Sequence, residues 1–537
     1  MRASSQVKFL VVSMFISLGA MAHAQAFRVQ CPTSTSLHPS LGTGSPMGAG
    51  AAYTGPSTIT DSAANGTGLT YTSNGGVIRC QQVSGGDGYA TMGDGNQIYM
   101  FAFGPLSGLS DISNGLPGTQ LANVYNTMPP VPLQVGDPAT NGPALLGYNG
   151  AVGLAPDMDY GGVIDGHVDP RPIMDVGVMN GNQPAPLMAI DEDDEFFLTL
   201  SNVGMLMRPD LFEQHTIHFH GYPNASSFYD GVPDASVAVD IGGSMTYYYL
   251  APDAGTYFWH CHITPPEHLQ MGMVGQLYVR PRQNRVPTDG THLYTSLMKQ
   301  QTDLRTASSC QSDILCTTPQ PPTDNGATHT ANKSNSPTLY AYNDGDGSTA
   351  YDVEYPLQIH GFDPNFHFVG MTFNPEGFAD MKDKYFLLNG RSYPDTAAAG
   401  TMQTPSSDGV MHDSQPLPSI INIPAGGRAL LRISDLDVSE FQTLASLGIP
   451  MKVIGQNARL LRDEAGNNMY YGTNSITLGG GESIDVILDA TGYTARQKFF
   501  LYSPNLDHLS NDAENFGGLM TEVNVCNAVD PITKACS

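Results

Sequence analysis

His215-Thr216-Ile217-His218-Phe219-His220-Gly221, taken with His260-Cys261-His262, decides how this chain is read. His268 stands seven residues beyond Cys261, and Met273 five beyond that. Side chains on a strand alternate between its two faces. His218 and His220 therefore share one side, as do His260 and His262, while Cys261 turns the other way. Cys261, His215, His268 and Met273 can then close a second group on the opposite side.

Two imidazoles, a thiolate and a distant thioether form the ligand set of a blue-copper electron-transfer centre. Met271 competes with Met273 for the thioether position in a chain of 24 methionines. Zinc also takes cysteine and histidine, and the soft thioether favours copper over it. A lone strand histidine is most often a hydrogen-bonded structural residue. Here, however, six of 15 histidines fall within 215–220 and 260–268, with a cysteine set between two of them. His218, His220, His260 and His262 form an imidazole-rich pocket of their own, joined to the first site through Cys261.

These motifs resemble those of the multicopper oxidases, within the cupredoxin superfamily. The resemblance rests on His-x-x-His-x-His-Gly at 215–221, Asp230-Gly231, Gly255 to His262, and His268 with Gly272-Met273. Asn180–Pro186 and the acidic strand start at 191–195 resemble the family's lead-in to a first domain. The resemblance implies type 1 copper ligation by His215, Cys261, His268 and Met273. It implies that His218, His220, His260 and His262 form half of a type 2/type 3 cluster. Asp230 would then assist proton delivery to bound oxygen, although an aspartate before glycine is equally at home in a plain turn. Two features depart from the family. The Cys261–His268 loop is two residues longer than its commonest spacing and contains Pro265-Pro266, and half of the cluster's imidazoles are missing.

The chain opens like a secretory signal, with Arg2 and Lys8, the apolar run Phe9–Ala20, and small residues at Ala22-His23-Ala24. No later stretch is long and apolar enough to span a membrane, so the expected destination is the periplasm or the medium. With Cys261 set aside, six cysteines remain, which suits an oxidising compartment. Neighbours in sequence suggest Cys31–Cys80, Cys310–Cys316 and Cys526–Cys536, among about 15 arithmetical pairings. Lys and Arg total 23 against 50 Asp and Glu, a net −27, which excludes a nucleic-acid binder. Such acidity favours solubility and concentrates cations.

The 59 glycines and 39 prolines suit an all-β protein with many turns. The expected plan is a signal peptide (1–24), an irregular extension (25–95), a copper-binding cupredoxin domain (96–283), a linker (284–350), a copper-free cupredoxin-like domain (351–526) and a tail (527–537). Both domains are expected to be Greek-key sandwiches with long Gly/Pro-rich loops. An internal comparison places 449–455 on 215–221, giving Ile449, Lys452 and Ile454 at ligand positions. Counting back without gaps from Gly518-Leu519, it sets Leu506-Asp507-His508 on His260-Cys261-His262, with Glu514 at the place of His268.

A three-copper cluster needs about eight imidazoles, and one place in this chain offers four. The further candidates are His360, His367, His412 and His508, none in a His-x-His pair. Three outcomes stay open. A second subunit completes the cluster, or His360 and His367 fold back onto a smaller site, or the type 1 copper acts alone. The leading reading is an exported copper oxidoreductase that takes electrons from a phenol or a low-valent metal ion and delivers them to dioxygen. The alternatives are a copper-binding or electron-transfer protein without turnover, and a copper nitrite reductase.

Overall fold

The computed structural model describes residues 30–32, 35, 76–125, 155–158, 164–169, 179–222, 226–251, 253–286, 290, 292–300, 319–333, 337–370, 377–406, 409 and 411–537. The signal-like segment, Cys310 and Cys316 lie outside them.

Eight strands build the first sandwich: β1 (Ile78–Thr91), β2 (Gln97–Pro105), β3 (Met188–Asp191), β4 (Glu195–Asn202), β5 (His218–Phe219), β6 (Ser244–Leu250), β7 (Gly255–His260) and β8 (Val274–Arg280). One sheet runs β2-β1-β4-β6, the other β3-β8-β7-β5. The second sandwich holds β9 (Val353–Phe362), β10 (Tyr385–Leu388), β11 (Ile421–Pro424), β12 (Arg428–Asp435), β13 (Gln442–Leu447), β14 (Met451–Gln456), β15 (Ser475–Leu478), β16 (Ser483–Asp489), β17 (Lys498–Tyr502) and β18 (Met520–Cys526). Its sheets run β10-β9-β12-β16-β14 and β11-β18-β17-β13-β15. The protein is all-β, two cupredoxin-like sandwiches. Each repeats a pair of parallel contacts, β1 with β4 and β3 with β8, then β9 with β12 and β11 with β18.

Alternation explains the cores. Phe196, Leu198 and Leu200 of β4 face Tyr247, Tyr249 and Ile217 in one cluster that also contains Cys261, Met271 and Met273. Leu431, Ile433, Val486 and Leu488 do the same for the second sandwich.

Three expectations are corrected. The 25–95 stretch is not irregular throughout, since β1 occupies 78–91 and runs through Ser84-Gly85-Gly86. Those glycines are a packing requirement, because a Cβ on Gly85 would lie 2.6 Å from the His215 ring. The 284–350 stretch is more than a linker. It carries a helix at Leu293–Gln300, and Tyr340 and Tyr342 are buried in packed clusters.

The internal register is also different. β7 ends at His260, opposite Val274, and β17 ends at Tyr502, opposite Met520. Cys261 N–H donates to Met273 O, and Ser503 N–H to Leu519 O; Met273 N–H donates to His268 O, and Leu519 N–H to His508 O. Ser503 thus stands for Cys261, Leu519 for Met273 and His508 for His268. β13, paired with β17 as β5 is with β7, puts Ala445 on His218 and Gln442 on His215. The ungapped count failed because the 508–519 loop is longer than 268–273, and because β14 and β15 are inserted after β13. His508 is still the one ligand position that keeps a histidine, and it is the place of His268.

The predicted disulfides Cys31–Cys80 and Cys526–Cys536 are present. Among the described residues no helix is long and apolar enough to cross a membrane.

Candidate metal centres

β7 stops one residue before Cys261, which turns into the core and is fully buried. Thr264 takes a left-handed backbone, φ 36°, a strained conformation for a β-branched residue. Its carbonyl accepts from Glu267 N–H and His268 N–H. That opens helix α1 (Pro265–Gln270), with proline in its first turn, where a missing N–H costs nothing. The two extra loop residues are thus accommodated in a helix that delivers His268.

His268 Nδ1 lies 3.2 Å and His215 Nδ1 3.8 Å from Cys261 Sγ. These three donors lie within 4.8 Å of one another, all buried. Thr216 N–H points at the sulfur from 3.5 Å. Burial opposes a thiolate, but the charge of His268 and hydrogen bonds from His215 and His268 pull the Cys261 thiol well below its usual range. Burial likewise opposes a charged His268, yet Cys261 and Glu213 raise it to about 10. A soft thiolate beside two imidazoles is what a type 1 copper requires. Met271 and Met273 are both buried in the same cluster. Glu213, which the sequence reading did not single out, reaches His268 Nε2 at 3.6 Å and is 27% exposed.

His218, His220 and His260 bring one ring nitrogen each within 4.8 Å of the others. His218 Nδ1 donates to the Asp230 carbonyl at 2.7 Å, and His260 Nδ1 to the Cys261 carbonyl at 2.6 Å. His220 and His260 approach Nε2 to Nε2 at 3.1 Å. Burial, then the neighbouring His218, lowers His220 to about 4. Nδ1–H bonds of this kind leave Nε2 as a metal donor, so this group also fits a metal. The His262 ring sits 5.4 Å from His260 and 5.0 Å from His218, and the residue's backbone N–H donates to Thr216 Oγ1. The Asp230 carboxylate lies 3.5 Å from His218 Nδ1 and is 30% exposed.

The remaining candidates join neither group. His360 Nε2 donates to Leu269 O, and its Nδ1 accepts from Gln183. His367 has the carbonyls of Tyr99 and Gln270 at its two ring nitrogens. Both brace α1 from below. His508 pairs with Glu440 and stacks on Phe386, and His412 is buried on the strand Met411–Gln415. Beyond Glu213, the sequence reading also missed Gly85 and Thr216. Their signals, a glycine pair and a threonine inside the first motif, are too common to stand out.

Residues 165–284 match the family model described as multicopper oxidase. The laccase abr2 of Aspergillus fumigatus is 33% identical over 109 residues, 20% of this chain and 17% of its own. A copper-containing nitrite reductase of Rhizobium meliloti is 35% identical over 116 residues, 21% of this chain and 27% of its own. The chain thus spans about a fifth to a quarter of the length of these relatives. Among solved structures it is similar to a blue copper oxidase from Nitrosomonas europaea, with a TM-score of 0.46 and 17% identity over 83% of this chain and 86% of that one. The family match thus falls on the stretch that carries both histidine groups, residues 165–284.

Proposed function

We propose that this is an exported copper oxidoreductase of the oxidase type, in which single electrons from a phenol or a low-valent metal ion end on dioxygen. One observation carries the reading. Cys261 is a donor of the first group and its chain neighbour His260 a donor of the second, while the ring of its other neighbour, His262, packs 5.4 Å from His260. Two donor sets therefore share one stretch of backbone. Bound copper would supply one-electron redox chemistry at the first site and oxygen reduction at the second.

The chain's own groups have definite tasks. Thr216 N–H and the two Nδ1 atoms orient the Cys261 sulfur, and full burial keeps water from it. Glu213 gives His268 a polar link toward the surface, where a cationic or hydroxylic donor can dock. Asp230 holds His218 through its carbonyl, and its half-exposed carboxylate can pass protons between solvent and that edge of the site.

Four imidazoles fall short of a three-copper cluster, and a second copy of the chain is the route by which it would be completed. A second reading, electron transfer or copper handling without turnover, is favoured by the engagement of His360, His367 and His508 elsewhere. Oxygen uptake with a phenolic donor, paired with copper stoichiometry and molar mass, separates the two. Turnover with about four coppers per site in an oligomer supports the oxidase. One blue copper per chain and no uptake refutes it.

A further inference from the structure

We propose that His360, on the copper-free sandwich, is a positioning residue of the first metal site: with Gln183 it fixes Leu269–Gly272, the segment between His268 and Met273. The inference rests on the reading of His215, Cys261, His268 and Met273 as copper ligands. It gives a task to two stretches that the site itself leaves unused, Gln358–Gly361 and the Asn180–Pro186 lead-in.

The segment needs an outside hold. α1 spans six residues, far below the length of about 12–15 at which a helix stands alone. Its last carbonyls have no partners within the helix. Met271 N–H closes onto Glu267 O at 2.8 Å, Gly272 N–H onto Leu269 O at 3.0 Å, and Met273 N–H onto His268 O at 2.8 Å. Gly272 then turns the chain into β8 with φ +115°, a backbone that residues with a Cβ rarely adopt. Both flanking ligands, His268 and Met273, take their places from this turn.

His360 supplies the hold. It is 1% exposed on β9, which pairs with β10 on one side and β12 on the other. Its ring bonds nevertheless run to the other half of the chain. Nε2 donates to Leu269 O at 3.0 Å, and Nδ1 accepts from Gln183 Nε2 at 3.1 Å. The two bonds enforce each other. With the proton on Nε2, Nδ1 is bare, and only the NH2 end of the Gln183 amide can face it. A Cβ on Gly272 would stand 2.8 Å from the other end of that amide, Oε1, and 3.0 Å from Phe101 O. One imidazole and one amide thus grip the turn at Leu269 and at Gly272.

The residue between them is docked on the same sandwich. Gln270 Nε2 donates to Asp383 Oδ1 at 2.9 Å, and its Oε1 accepts from Asp363 N–H at 2.9 Å. Its carbonyl faces His367 Nε2 at 2.9 Å. The end of α1 is therefore seated on the copper-free sandwich, and His360 is the contact that also reaches, through Gln183, the Gly272 side. Loss of a group that orients a ligand typically weakens metal binding about 10–100-fold. His360 acts through backbone rather than on a ligand ring, which places it at the lower end, about tenfold.

His329 offers a matched control. It is likewise buried, with Val286 O and Thr338 O at its two ring nitrogens, each at 2.8 Å, and neither carbonyl belongs to α1. In the full-length protein, Cu(II) titration against a competing chelator, read by the blue absorption and EPR hyperfine splitting, compares His360→Leu, His360→Gln and His329→Leu. His360→Leu should lose about tenfold in first-site affinity and shift both the blue band and the splitting. His360→Gln, whose amide keeps a donor near the Nε2 position, should recover to within about twofold of the parent, and His329→Leu should keep the parent's signature. A folded His360→Leu with the parent's spectrum and affinity, equal changes in His329→Leu, or no recovery in His360→Gln overturns the positioning role. If the parent itself takes up no blue copper, the first-site reading fails first and takes this inference with it. Should His360→Leu not fold, histidine 15N NMR of the unmodified metal-free protein decides, with His360 assigned by its loss in His360→Gln. A proton on Nε2 supports the proposal, and one on Nδ1 overturns it.

Discussion

Glu354 is the place to test how the two sandwiches are held together. It sits on β9, buried, between Arg280 of β8 in the first sandwich and Arg432 of β12 in the second. Both guanidiniums also lie over the Tyr278 ring, at 5.2 and 4.8 Å. Burial alone would raise the Glu354 carboxyl, but Arg280 and then Arg432 outweigh it and hold it at about 2, against an ordinary 4.5. At about 1.36 kcal/mol per unit, that difference is about 3.4 kcal/mol of stability at neutral pH. The sign follows from the depressed value. The contribution is complete above pH 4.5 and is lost as the pH falls toward 2. By about pH 3.5 roughly 1.4 kcal/mol of it should be gone.

Glu354→Gln strands two buried cations and should cost about 3 kcal/mol at pH 7, the lower end for a broken buried pair. The lower end applies because Arg432 keeps Asp485 at 3.9 Å. Urea unfolding of parent and variant at pH 7 and at about pH 3.5 measures both quantities, and the gap between them should narrow by over a kilocalorie per mole. A cost below about 1 kcal/mol, or a gap that does not change with pH, would refute the assignment of Glu354 as the charged hub of the interface.

Other outcomes follow from the sites. Cys261→Ser should abolish the blue absorption while changing the stability of the metal-free protein by no more than about 1 kcal/mol, because the hydroxyl inherits the Thr216 and His268 partners. Glu213→Gln should slow oxidation of a ferrous donor about tenfold at low salt and a neutral phenol much less, with the difference fading near 1 M salt; stopped-flow reduction of the blue band reads it. Gln442→His, Ser503→Cys and Leu519→Met together, added to His508, should create a second blue centre in the copper-free sandwich, visible as extra absorption per chain.

What was legible in the sequence was what strand alternation controls. The facing of Cys261 away from His260 and His262, and the grouping of His218 with His220, follow from the period of two and need no long-range information. What failed needed such information. Ser84-Gly85-Gly86 looks like a loop until His215 is known to lie across it. The run of glycines at 479–481 has no meaning until His220 is known to press against it. The register of the repeat was lost because hydrogen bonds, unlike residue counts, ignore insertions in the loops between them. His360 and His367 were plausible ligands by composition alone. Only the carbonyls of Leu269, Tyr99 and Gln270, which occupy their nitrogens, show that they support α1 instead.

The repeat, once registered by hydrogen bonds, separates what copper needs from what the fold needs. Glu213 stands two residues before His215, and Glu440 two before Gln442. Glu213 meets His268 at 3.6 Å, and Glu440 meets His508 at 2.8 Å. The Glu–His pair thus survives in a sandwich whose cysteine position holds Ser503 and whose thioether position holds Leu519. Copper ligation cannot be what maintains it there. The pair closes the long loop before the last strand, a task common to both sandwiches. In the first sandwich the same histidine also faces a thiolate and the pair is looser, while in both sandwiches the glutamate reaches solvent. An element that serves loop closure in one copy is therefore placed, in the other, between the buried sulfur and the surface from which electrons must come.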